Sequence, residues 1–82
     1  MDTETILQKL REEVALITRK APENVDDSVP LRSCGIDSMS FLELLIFIKK
    51  EWDVDFLQMG LSVDFLKNLR GLAGRINEEL SK

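Results

Sequence analysis

Apolar residues return at three- and four-residue intervals through the first part of the chain, at Ile6, Leu7, Leu10, Val14 and Ile17. On a helix these positions form one stripe, which predicts an amphipathic helix over Thr3 to Arg19 with Asp2 or Thr3 capping its first turn. Pro22 ends it, because proline lacks the backbone donor a helix needs and biases Ala21 toward extended geometry. From there to Asp37 no period is visible. The segment reads as a long loop pinned by Val25, Val29, Leu31 and Ile36, and an unstructured connection of this length in a small domain is either functional or packed down by its own side chains.

The period resumes in DSMSFLELLIFIKKEW, where Asp37 and Ser38 are both capping types and neither Gly nor Pro interrupts the run to Trp52. With Ser38 set at zero and about 100° advanced per residue, Phe41, Leu44, Leu45, Ile48 and Trp52 fall on one arc, the predicted core face. Leu42 sits beside that arc. Met39, Glu43, Ile46 and Lys50 share a second arc, with Phe47 at its border, and this arc is too apolar for an ordinary solvent face. DVDF alternates like a strand but has nothing to pair with, so it predicts a connection with Phe56 turned inward. Ser62 to Leu66 predicts a one-turn helix capped by Ser62. Asn68 then caps a last helix whose shared face is Leu69, Leu72, Ala73, Ile76 and Leu80, with Gly71 and Gly74 offering close approach to a neighbour at a cost in helix propensity. The sum is an all-α fold of three main helices, a short third helix and a long first loop, in one domain over residues 1–82 with its core at about 3–80.

Composition narrows what such a fold can do. The chain has 82 residues, 44% apolar and 32% charged, the profile of a soluble globular domain with one small core. That size leaves no room for a nucleotide-binding half beside a substrate half. Eleven basic against 15 acidic residues give a net charge of −4, and the pI of about 4.7 argues against nucleic acid as a partner. The excess is central: residues 37–55 carry five acidic side chains against Lys49 and Lys50. One cysteine excludes an internal disulfide framework, and the absence of histidine removes the commonest zinc ligand and neutral-pH base, so no metal site is expected. The opening MDTETILQKLREE lacks a basic region followed by an apolar core, and the longest apolar run, Leu44 to Ile48, falls far short of the roughly 20 residues that span a bilayer. A cytoplasmic monomer without membrane insertion is the expectation.

Ser38 is the position that calls for chemistry. With Asp37 as the cap, Ser38 is the first helical residue, its hydroxyl lies outside the backbone hydrogen-bonding network, and an attached phosphodiester would sit at the positive end of the helix. No histidine-containing triad can be assembled in this chain, so another enzyme would have to modify it. Other polar positions have plainer readings. Cys34 reads as a small semi-buried hydrophobe, with regulatory thiol chemistry as the alternative. Asp26 and Asp27 read as solvated loop charges, with a weak divalent cation site as theirs. Trp52 and the phenylalanines read as core, Phe47 being either core or surface.

These residues also carry a family resemblance. GIDSM at 35–39 resembles the attachment motif of the acyl carrier proteins and the related peptidyl and aminoacyl carrier proteins, in which glycine, a variable apolar residue, aspartate and serine precede leucine or methionine. The likeness continues through FLELL, with Glu43 in the usual acidic position, and into LKNLRGLAGRI, covering about Ile6 to Leu80. It implies a small four-helix bundle of acyl-carrier type and a non-catalytic carrier. By this resemblance Ser38, preceded by Asp37, receives 4'-phosphopantetheine from coenzyme A through a phosphopantetheinyl transferase, and the arm's thiol holds cargo as a thioester. The further partners implied are an acyl- or aminoacyl-activating enzyme or acyltransferase and a downstream synthase, condensing or tailoring enzyme. They would dock through Met39, Glu43 and Ile46, with Phe47 and Lys50 on the same surface.

The chain departs from the family's usual pattern in Cys34, where leucine is common, and in Lys49 and Lys50, where fatty-acid-synthase carriers are typically acidic. Phe47 stands where a small residue is common. These departures point toward a discrete carrier for polyketide, nonribosomal peptide or other specialised biosynthesis rather than for fatty acid synthesis. The reading of another class is a helical adaptor that binds partners through the Met39, Glu43, Ile46 arc and carries no prosthetic group; intact mass after incubation with coenzyme A and a transferase separates the two.

Overall fold

A computed structural model of the protein describes residues 2–56, 58 and 68–81, and among them the fold is all-α, with no strand. Helix α1 runs over Thr3–Thr18, α2 over Ser38–Trp52 and α3 over Leu69–Leu80. Each begins at a side-chain cap the sequence supplies: Asp2 accepts from the Thr5 N–H, Asp37 from that of Ser40 and Asn68 from that of Gly71. Each cap satisfies one of the donors that a helix start otherwise leaves without a partner. α1 and α2 end in the same way, on a residue in the left-handed conformation, Arg19 at φ 60° and Asp53 at φ 58°. The one-turn helix expected at Ser62 to Leu66 lies outside the described residues.

The apolar stripes converge. Ile6, Leu10 and Val14 of α1, Leu44 and Ile48 of α2, and Leu69, Leu72 and Ile76 of α3 are completely buried, each contributing about 1.5–3 kcal/mol relative to exposure. Trp52 and Phe56 close one end of this core. Phe41 and Phe47 pack on its margin, and the Phe47 and Trp52 rings meet edge to face with centroids 5.8 Å apart. Leu80, expected on the core face, is exposed because the helix runs on past the core. α1 packs against both α2 and α3. Its partnership with α2 is antiparallel: Lys9 pairs with Glu51 near the end of α2, whereas the end of α1 lies beside the start of α2, where Lys20 Nζ donates to the Cys34 carbonyl at 3.2 Å.

The long loop is held down as expected by Val25, Leu31 and Ile36, all buried, with Val29 half-buried. It is more regular than its sequence suggests, winding into single 3-10 turns at Pro22–Asn24 and Leu31–Cys34. One expectation fails outright: Asp27 is not a solvated charge. It is 9% exposed and holds two arginines, Arg11 of α1 and, at 3.0 Å, Arg70 Nε of α3. The Arg70 backbone N–H adds a bond to the Asp27 carbonyl at 3.3 Å. Asp26 does stay exposed, its carboxylate accepting from the N–H and hydroxyl of Ser28.

Two glycines make opposite demands. Gly35 adopts φ 90°, ψ 14°, the left-handed region that costs a residue with a Cβ roughly 1–2 kcal/mol. Gly74 was expected to let a neighbour approach, yet a Cβ added there meets nothing within 4 Å. Gly35→Ala therefore lowers stability by about 1–2 kcal/mol, whereas Gly74→Ala raises it by about 0.5–1 kcal/mol through helix propensity alone. Urea denaturation of the two variants checks both signs.

Candidate functional site

The start of α2 is built by a short sequence of local constraints. The Leu31–Cys34 turn closes through Gly35, whose N–H bonds back to the Arg32 carbonyl at 3.3 Å, and the Ile36 N–H then reaches the Leu31 carbonyl at 3.2 Å. Ile36 is buried, so the chain is anchored immediately before it emerges. Asp37 follows in extended geometry, φ −100° and ψ −171°, with Oδ1 2.9 Å from the Ser40 N–H, while its carbonyl accepts the Phe41 N–H at 2.8 Å. The Ser40 N–H holds the Asp37 carboxyl below its ordinary value, so the group is an anion throughout the neutral range.

Ser38 is thereby the first residue of α2 and is exposed. Among the described residues no side chain or backbone group is hydrogen-bonded to its Oγ, in contrast to Ser28, whose hydroxyl bonds Asp26, and Ser81, whose hydroxyl bonds the Asn77 carbonyl. A hydroxyl in this setting has free approach, and the dipole of a 15-residue helix favours an anion beside it. The site therefore fits an arm attached through phosphate. The chain has no histidine, the neighbouring Asp37 is engaged as the cap, and among the described residues no group of three or more His, Cys, Asp or Glu could hold a metal ion.

Met39, 73% exposed, and Ile46, 43% exposed, share a face with exposed Glu43 and Lys50. Four of the five residues expected on the partner surface are thus brought together in the open. Phe47 is the exception, half-buried with its ring against Trp52 and packed on the core. On the other side of the arc Leu45, Ile46, Lys49, Lys50, Asp55 and Gln58 line an open groove of about 410 Å³. The charge of Lys49 is locally answered there by Asp53 and Asp55, each at 3.7 Å.

Cys34 takes no part in this surface. It is buried with Sγ 3.3 Å from the Asp26 carbonyl, and burial pushes its thiol up, away from the reactive thiolate. Asp27, expected as a solvated charge, instead holds the loop that leads to the site through Arg11 and Arg70. Nothing near it in sequence announces the pairing, because its partners lie 16 and 43 positions away.

No described helix is long and apolar enough to cross a membrane. A family model described as "Phosphopantetheine attachment site" matches residues 8–76. No curated protein matches the chain.

Proposed function

Because the chain belongs to the phosphopantetheine attachment site family, whose members are non-catalytic carriers of that group, we propose that Ser38 is its attachment residue and that the whole chain is one acyl or aminoacyl carrier domain. The observation that carries this reading is the free, exposed Ser38 hydroxyl at the capped start of α2, inside the matched span. When bound, phosphopantetheine supplies a flexible arm whose thiol holds cargo as a thioester. In the attachment reaction the Ser38 Oγ attacks the coenzyme A pyrophosphate at the phosphorus that bears pantetheine. An Oγ–P bond forms and the P–O bond to the nucleotide breaks, which releases the adenosine bisphosphate. The hydroxyl proton goes to a base of the transferase, since this chain has no histidine and the neighbouring Asp37 is engaged as a cap.

The test is intact and peptide mass spectrometry after incubation with coenzyme A, magnesium and a broad-specificity phosphopantetheinyl transferase. One added group, on the peptide containing Ser38, supports the reading; an unchanged mass with an active transferase overturns it and leaves the adaptor.

The exposed arc divides the work of recognition. Met39 and Ile46 offer apolar contact that is desolvated on docking, while Glu43 steers basic partners. Met39→Ala and Glu43→Lys each lower the second-order rate of loading about five- to ten-fold, with far-UV circular dichroism unchanged. Raised salt narrows the Glu43 difference and leaves that of Met39, because only the former is a screened Coulomb effect. Rates equal to the unmodified chain at all salt concentrations would place docking elsewhere.

For the pathway, we favour specialised biosynthesis with a dedicated acyl- or aminoacyl-activating enzyme, acting in the cytoplasm. The support is the exposed cation of Lys50, two turns along the face that carries Glu43, and the bulk of Phe47 at the border of the arc. Lys49 adds little to this preference, because Asp53 and Asp55 already answer it. Loading of the pantetheinylated chain by malonyl transferase from fatty acid synthesis, followed by elongation in that synthase, would reverse the preference.

A further inference from the structure

Leu16, 75% exposed, is the most exposed large apolar side chain among the described residues, and it stands outside the stripe that buries α1. It does not stand alone. Together with Phe47 it forms the apolar part of a shallow groove of about 230 Å³ between α1 and α2, whose other lining residues are Lys9, Glu12, Glu13 and Glu51. The single ammonium of this rim is already paired with Glu51, and among the described residues Glu12 is met by the neutral Gln8 amide at 3.3 Å. Three carboxylates against one ammonium leave the rim with a net charge of −2.

Size and charge limit what the groove can accept. It is smaller than the roughly 300–1,000 Å³ of a small-molecule site, and it has room for one or two side chains. A second copy of the chain is disfavoured, because a two-fold contact sets the same patch on both sides and would bring one acidic rim onto another. The complement is an apolar side chain flanked by lysine or arginine. Position narrows the choice further. Leu16 lies in the last turns of α1, the end that packs beside Gly35, with Thr18 Cγ2 3.6 Å from where a Gly35 Cβ would be. Lys9 and Glu51 close the other end of the groove near the end of α2, so its Leu16 end is the one that lies toward Ser38. An enzyme that acts on the Ser38 hydroxyl itself and extends along α2 comes to Leu16 first, whereas enzymes acting on the thiol at the far end of a flexible arm need not reach it.

We propose that the groove between α1 and α2 is a second docking element, which seats an apolar side chain of the phosphopantetheinyl transferase between basic residues of that enzyme. The proposal rests on the carrier reading and extends the contact surface from α2 onto α1.

Steady-state loading kinetics of the full chain, with coenzyme A and a broad-specificity transferase and with Ser38 occupancy read by intact mass, test it. Leu16→Ala and Leu16→Asp raise KM for the carrier about five- to ten-fold while kcat stays within about two-fold, and Leu16→Met restores the original value. Glu12→Lys raises KM at low salt, and the difference shrinks as salt is added. Circular dichroism stays unchanged, since the substituted side chains are exposed. Complete loading of Leu16→Asp with an unaltered KM overturns the proposal and leaves the carrier reading intact. Failure of the original chain to load overturns both. A dimer of the original chain that Leu16→Asp converts to monomer in sedimentation identifies a second copy as the occupant and also overturns the proposal.

Discussion

Ser38→Ala yields a folded chain that gains no mass when incubated with coenzyme A, magnesium and a transferase that converts the original chain nearly to completion. The fold survives because the start of α2 is secured by Asp37, whose carboxylate bonds the Ser40 N–H at 2.9 Å, and by Ile36, buried just before it. The Ser38 side chain is exposed and makes no hydrogen bond among the described residues, and alanine is the best helix former for the vacated position. The loss is complete because the proposed role assigns attachment to Ser38 alone; among the described residues Ser28 and Ser81 are already engaged through their hydroxyls. Far-UV circular dichroism and thermal melting matching the original chain, beside an unchanged mass, are the expected pair of results. An added group in the Ser38→Ala chain, at any residue, would remove Ser38 from its proposed role.

The second large effect is on stability and comes from a residue far from any chemistry. Asp27→Ala takes the shared anion from Arg11 and Arg70, leaving Arg70 with the exposed Glu4 carboxylate at 3.8 Å and Arg11 with the Gln8 side-chain oxygen at 3.0 Å. Stranding the partners of a buried carboxylate typically costs about 3–5 kcal/mol. Here the Arg70 side chain is 57% exposed and that of Arg11 24%, so water screens part of the interaction and the expected loss is about 2–3 kcal/mol. In a domain of this size that lowers Tm by on the order of 10 °C or more. Asp27→Asn keeps one acceptor oxygen but turns an amide NH2 toward the other arginine, so it recovers only part of the loss. Urea or thermal unfolding in which Asp27→Ala matches the original chain would show that the clasp adds nothing to the fold.

The parts of the molecule that could be read in advance are those in which one physical cause acts over a short stretch. α1, α2 and α3 follow from the spacing of apolar residues and from Asp2, Asp37 and Asn68 at their starts, and the observed α1 stops at Thr18, one residue before the expected end, because Arg19 takes the left-handed capping conformation. The arc of Met39, Glu43, Ile46 and Lys50 was visible because a helix turns any four-residue spacing into a shared face. The two 3-10 turns in the first loop were not visible, since a single turn has no period to detect. Phe47 could be placed only by finding Trp52 beneath it, five positions on. The role of Asp27 and the meeting of Leu16 with Phe47 across a groove are tertiary facts: one depends on two arginines from different helices, the other on the packing of α1 beside α2.

The clasp also orders events in time. A chain made from its N-terminus presents α1, the first loop and α2 well before Arg70 exists, and domains generally complete their packing as a unit once the needed residues are available. Until α3 arrives, Asp27 has only Arg11, and Leu44 and Ile48 lack the cover of Leu69, Leu72 and Ile76. The platform beneath Ser38 is therefore completed only once α3 has been made, and until then the start of α2 rests on a core that lacks one of its three walls.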